Sequence, residues 1–126
     1  MVYSGRRSYM INAVQTASPS ARLLMVIDQL DASLARALSG YEKNDLHEIH
    51  CGLKNAQAVV ALLRDCLQVE VWDGASDIRR LYEYSLDRLV RSNLAKEREL
   101  LAEAEAVLRP LMNAWRQAAV LVNADG

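Results

Sequence analysis

Phenylalanine is absent from this 126-residue chain, proline occurs twice, glycine five times and cysteine twice. So few helix breakers, gathered where apolar periodicity pauses, leave long helices as the natural reading. The two cysteines exclude a disulfide scaffold. Cys51 and Cys66 fall in what reads as one helix, where fifteen residues at about 1.5 Å each separate them by about 22 Å. Free, packed thiols in a reducing compartment follow. Charge of one sign is lacking too: fifteen basic and sixteen acidic residues leave a net charge of -1. No basic run builds the field that phosphate backbones or anionic lipids attract, which argues against nucleic acid. The longest apolar stretches, such as Leu23 to Ile27, are far shorter than the roughly 20 residues a bilayer demands. With no secretory signal in view, the chain reads as cytoplasmic and without membrane insertion.

What is present is apolar and helical. Hydrophobic residues make up 52% of the chain against 25% charged, enough for one core. Residues 1–17 are mixed and polar and read as a flexible arm or a short extra helix. Ser18-Pro19 is a strong helix start, since serine caps an early backbone N–H and proline has none to lose there. Leu23, Ile27, Leu30, Leu34 and Leu38 then recur at steps of three and four until Gly40 offers a stop. After the caps Asn44 and Asp45, the series Leu46, Ile49, Leu53, Ala56, Val60, Leu63 and Leu67 forms the cleanest seam.

Val69 to Ala75 breaks the pattern and reads as a loop ending on the turn pair Asp73-Gly74. A third helix carries Ile78, Leu81, Tyr82, Ser85, Leu86, Leu89 and Asn93, a face wide enough for two neighbours. The fourth carries Leu100, Leu101, Ala104, Val107, Leu108, Leu111, Ala114, Trp115, Ala118 and Leu121, with Glu97, Glu99, Glu103 and Glu105 on its wet side. Pro110 predicts a kink there, because its ring removes one backbone bond and crowds the Ala106 carbonyl. The fold class is therefore all-α: an antiparallel up-and-down four-helix bundle over 18–122, with helices at about 18–40, 44–68, 76–94 and 96–122.

Chemistry has little to stand on. His47, His50 and Cys51 share one helical face at metal-like spacing, but no second cluster supplies a fourth ligand. A metal-binding helical protein is an alternative; ordinary surface histidines beside a packed cysteine explain the same residues. The glutamates interleave with Lys96 and Arg98 as a solvated face does, and no phosphate loop, nucleophile elbow or CxxC occurs. No enzyme and no cofactor is expected. The surplus of Tyr82, Tyr84, Leu86 and Trp115 on the last two helices suits either a groove for a partner helix, or a completed core or homodimer contact; periodicity alone leaves these open.

Tyr9 with Val14 five residues on, followed by Thr16-Ala17-Ser18-Pro19, resembles the N-terminal signature of the flagellar export chaperone (FliS) family. Leu24, Met25 and Asp28 resemble its Leu-Met-Leu-Tyr-Asp segment, and Lys54-Asn55-Ala56-Gln57 with Leu62 and Leu63 its second-helix pattern. Leu81-Tyr82-Glu83-Tyr84-Ser85, running through Arg88 and Leu89 to Asn93, resembles the family's Leu-Tyr-Asp-Tyr-Met block, and Trp115 completes the order. Departures are Gln29-Leu30 for a usual Gly-Ala, Ile27 for tyrosine, Arg22 for an apolar residue, and Pro110. The resemblance implies a cytoplasmic chaperone that holds the C-terminal segment of flagellin and prevents premature polymerisation. It places Tyr9 and Val14 on an arm that covers or regulates the groove; Leu81, Tyr82, Tyr84, Leu86, Leu89 and Trp115 shape the bundle around it, Leu81 and Leu89 as structural residues and Tyr84, off the stripe, as the contact, while Asn93 bonds a partner's backbone or its own helix end. Other flagellar regulators, export components or a second copy are further partners; a homodimeric adaptor that binds no flagellin is the alternative.

Overall fold

The computed structural model describes residues 18–67 and 73–125, so the expected arm over 1–17, with Tyr9 and Val14, lies outside the described residues. Four helices follow: α1 Pro19–Lys43, α2 Leu46–Asp65, α3 Ala75–Ala95 and α4 Arg98–Asp125. Among the described residues there is no strand.

Local chemistry explains the boundaries. Ser18 Oγ accepts from the Ala21 N–H at 3.2 Å, and Pro19 takes the first helical position. Asp45 caps α2 by accepting from the Glu48 N–H, while Asn44 ends α1 in the left-handed region at φ 54. Gly40 is not the stop. The helix continues three residues further because this glycine marks a close approach: a Cβ there would lie 2.6 Å from the Ile49 backbone nitrogen. Gly74, at φ 91, turns the chain into α3, and Lys96, at φ 55, ends that helix. The α4 helix runs unbroken through Pro110, where Pro110 and Ala106 are both exposed. Water thus reaches the carbonyl that lost its partner.

Each helix packs against two others: α1 on α2 and α4, and α3 on α2 and α4. Cross-links fix the directions. Arg36 of α1 meets Glu48 of α2 through two bonds of 2.5 and 3.1 Å, and Gln57 of α2 reaches the Leu89 carbonyl of α3. Trp115 of α4 meets Tyr82 of α3, and Arg109 of α4 meets Asp31 of α1. Second contacts, Gly52 beside Ser33, His50 with Asn93, Arg88 with Glu103 and Arg116 with Asp28, show residue numbers rising on one helix as they fall on its neighbour, so neighbours run antiparallel in an up-and-down ring. Arg36 also holds the Glu48 carboxyl below the usual carboxylate range by hydrogen bonding.

The core follows the apolar steps. Ile27, Leu30 and Leu34 of α1, Ile49, Leu53, Ala56 and Val60 of α2, Tyr82 and Leu89 of α3, and Leu101, Ala104 and Leu108 of α4 are all buried. Four positions of the expected seams stay outside: Leu46, Leu81, Ala114 and Leu121 are exposed. Glu105 departs in the other direction. It leaves the wet side expected for it, with only 22% of its side chain exposed, because it shares a stripe with Arg109 and faces α1.

The two thiols are free, but only Cys51 is partly packed. Cys66 is exposed, since α2 stops at Asp65 and leaves it as the C-cap.

Candidate partner-binding site

Residues left over after the core is filled fall on outer seams. On α3, Leu81, Tyr84 and Arg88 share one face by their three and four spacing. The Arg88 guanidinium lies 4.9 Å from the Tyr84 ring centroid and reaches Glu103 of α4 at 3.5 Å. That bridge orients the neighbouring helix: residues at helical steps from Glu103, namely Val107, Pro110, Ala114 and Leu121, border the same α3–α4 seam. Leu81 and Tyr84 are each 40% exposed and Leu121 65%. With Pro110 and Ala114 also exposed, these residues leave an apolar strip along the outer edge of the seam, beside the Arg88–Glu103 pair.

The expected site residues separate into two groups. Tyr82 is fully buried, and its hydroxyl accepts from the Trp115 indole N–H at 2.7 Å. Burial pushes the Tyr82 phenol pKa up, and the Trp115 bond offsets part of that rise. The two rings border an apolar cavity of about 160 Å³ with Leu23, Leu63, Cys66 and Leu67, at the end of the bundle where all four helices contribute. Tyr84 belongs instead to the α3–α4 seam. Leu86 and Asn93, seven residues apart, lie on the α2 side of α3. Leu86 packs against the core, and Asn93 Nδ2 sits 3.1 Å from His50 Nδ1 while its Oδ1 accepts from Lys96 Nζ. Asn93 therefore already ties α3 to α2.

Sequence reasoning missed Val90 and Leu94, which are 37% and 81% exposed on α3. Their spacing of four, off the stripe of Tyr82, Ser85 and Leu89, was the available signal. Also missed was the bundle's opposite end, where Tyr41 donates to the Ser92 carbonyl at 3.0 Å and its hydroxyl sits 2.7 Å from Ser92 Oγ. Ser92 Oγ in turn donates to the Glu97 carbonyl. This network pins the α3–α4 turn to α1.

The metal-like trio does not converge. Cys51 Sγ is 3.6 Å from His47 Nε2, but His50 turns to Asn93. Among the described residues no group of three histidine, cysteine or acidic side chains gathers around one point. Nor, among them, is any helix long and apolar enough to cross a membrane.

Comparison with known proteins adds what geometry cannot. A family model described as flagellar protein FliS matches residues 2–122. The flagellar secretion chaperone FliS of Bacillus subtilis is 29% identical over 111 residues, covering 88% of this chain and 83% of its own length. That of Salmonella typhimurium is 28% identical over 108 residues, 84% of this chain and 80% of its own. The flagellar secretion chaperone FliSB of Pseudomonas aeruginosa is also 28% identical, over 81% of this chain and 82% of its own. An all-helical bundle with spare apolar seams and no catalytic constellation among its described residues thus meets a match along nearly its whole length: the chain belongs to the FliS family of flagellar secretion chaperones and is not an enzyme.

Proposed function

We propose that this protein acts in the bacterial cytoplasm by holding the C-terminal segment of flagellin along its outer apolar seams, which keeps flagellin from polymerising before export. The observation that carries the reading is the apolar strip beside the α3–α4 contact, where Leu81, Tyr84 and Leu121 stay exposed although the core is complete without them. A disordered amphipathic segment coils on such a surface and buries its own apolar face there. Val90 and Leu94 extend the apolar surface toward α2. Ordering the guest consumes part of the gross binding energy, so a contact running over more than one seam suits the role.

Within this reading, residues 18–122 are the binding domain and 1–17 an arm. Tyr9 and Val14 cover or regulate the site until the guest arrives. Tyr84 is the contact residue, while Tyr82, Leu86, Asn93 and Trp115 act by shaping the bundle beneath it. Titration of a peptide carrying the flagellin C-terminal segment, followed by calorimetry and far-UV circular dichroism, tests the proposal. Saturable binding with a gain of helicity is expected, weakened about tenfold by Tyr84→Ala, since truncating a central aromatic contact costs roughly 1–2 kcal/mol. No saturable binding and no added helix would end the proposal; concentration-dependent self-association in its place would favour a homodimeric adaptor.

A further inference from the structure

The two halves of α4 are held by different forces. Before Pro110, Leu101, Ala104 and Leu108 are at most 1% exposed, three large or close-packed contacts within two turns. Beyond it, Met112 and Ala119 are buried, but Leu111, Trp115 and Ala118 are only half-buried, and Val120 and Leu121 stand 60% and 65% exposed. Beside this second half opens the apolar pocket of about 160 Å³ bordered by Trp115, Tyr82, Leu23, Leu63, Cys66 and Leu67. Side chains lining an open pocket make fewer dispersion contacts than enclosed ones, so this end of α4 is the less firmly packed.

Its edge toward α1 is ionic. Arg116 lies 2.5 Å from Asp28 and 3.4 Å from Asp31, and Arg109 lies 2.6 Å from Asp31. Arg109 stands beside Pro110, and Arg116 a turn and a half past it. Pro110, in turn, removes the backbone bond to the Ala106 carbonyl and leaves the helix weakest at the boundary between the halves. A missing bond, a half-buried apolar face beside an open pocket and a charged edge thus coincide in one segment.

We propose that the part of α4 beyond Pro110 is a lid, hinged at Pro110 and latched to α1 through Arg116 and the pair Asp28 and Asp31. Its opening widens the pocket beside Trp115 into a cleft. The latch is salt-sensitive, because its charges are between 32% and 67% exposed and screening reaches them. The device goes beyond the flagellin reading and holds whatever the partner is. Low-energy opening of one segment while the rest stays folded is the expected form of such motion.

Amide hydrogen exchange on the intact protein tests it. Residues 111–119 should exchange as one unit, at least tenfold faster than 98–108. Raising sodium chloride from 0.05 to 0.5 M, or the double variant D28N/D31N, should speed that unit a further three- to tenfold and leave α2 unchanged. Pro110→Ala, which restores the backbone bond, should slow it. Equal exchange in both halves of α4 would overturn the lid, as would insensitivity to salt and to D28N/D31N, or acceleration of all helices alike. A smooth gradient inward from Leu121 that Pro110→Ala leaves untouched would show simple fraying and overturn it too.

Discussion

Replacing Gly52 by alanine sets two rules against each other. In a helix interior the change ordinarily stabilises by about 1 kcal/mol, because alanine loses less backbone freedom on folding. Here the added methyl would lie 2.5 Å from the Ala37 nitrogen, 2.8 Å from its Cα and 2.8 Å from the Ser33 carbonyl oxygen, all backbone atoms of α1. Ordinary contact begins near 3.4 Å, so the two helices must part by close to 1 Å where Leu34, Ala37, Leu53 and Ala56 interdigitate. Overpacking of this kind costs about 1–3 kcal/mol, and at a backbone the upper half of that range applies. The balance is a net loss of about 1–2 kcal/mol, equivalent to a fall in Tm of roughly 3–8 °C for a chain of this length. Urea unfolding followed by circular dichroism reads the change directly. A second arm sharpens the test: Ala37→Gly should give no rescue, because the obstructing atoms belong to the backbone and remain. A Gly52→Ala protein as stable as the parent, or more so, would refute the close crossing of α1 and α2.

Tyr82→Phe should cost about 1–2 kcal/mol in the same assay, since it leaves the Trp115 indole N–H without its acceptor beside an apolar cavity. Burial raises the Tyr82 and Tyr41 phenol pKa values in the folded chain, so the stability they contribute is complete below about pH 10 and is lost as pH climbs through the raised values. An alkaline unfolding titration should therefore shift upward in Tyr82→Phe relative to its own neutral-pH stability. Ser92→Ala should destabilise by about 1–2 kcal/mol by removing the link between Tyr41 and the Glu97 carbonyl at a fully buried position. Thiol labelling of the native protein should be faster at Cys66 than at Cys51, in line with their exposures; equal rates would contradict the end of α2 at Asp65.

The aromatic surplus of α3 and α4 was visible in the sequence, but not its division. Tyr82 and Tyr84 stand two apart on a helix, which turns them to different sides, and only the position of α4 makes one a core residue and the other a contact. Leu81 followed the apolar stripe and still stays exposed, because α3 uses the arc centred on Tyr82, Ser85 and Leu89 to meet both neighbours at once. His47, His50 and Cys51 share a face by spacing, yet Asn93 of α3 turns His50 away from the other two.

Sequence alone determined the helices, their order and the caps at Ser18 and Asp45, because propensity, periodicity and capping act over a few neighbouring residues. Tertiary structure decided what those short-range forces cannot: that Gly40 admits a crossing helix rather than ending its own, that Glu105 turns toward α1, and that an ionic edge joins α4 to α1. Each depends on which side chains meet across dozens of residues, and packing of whole helices settles that, not the preference of any one of them.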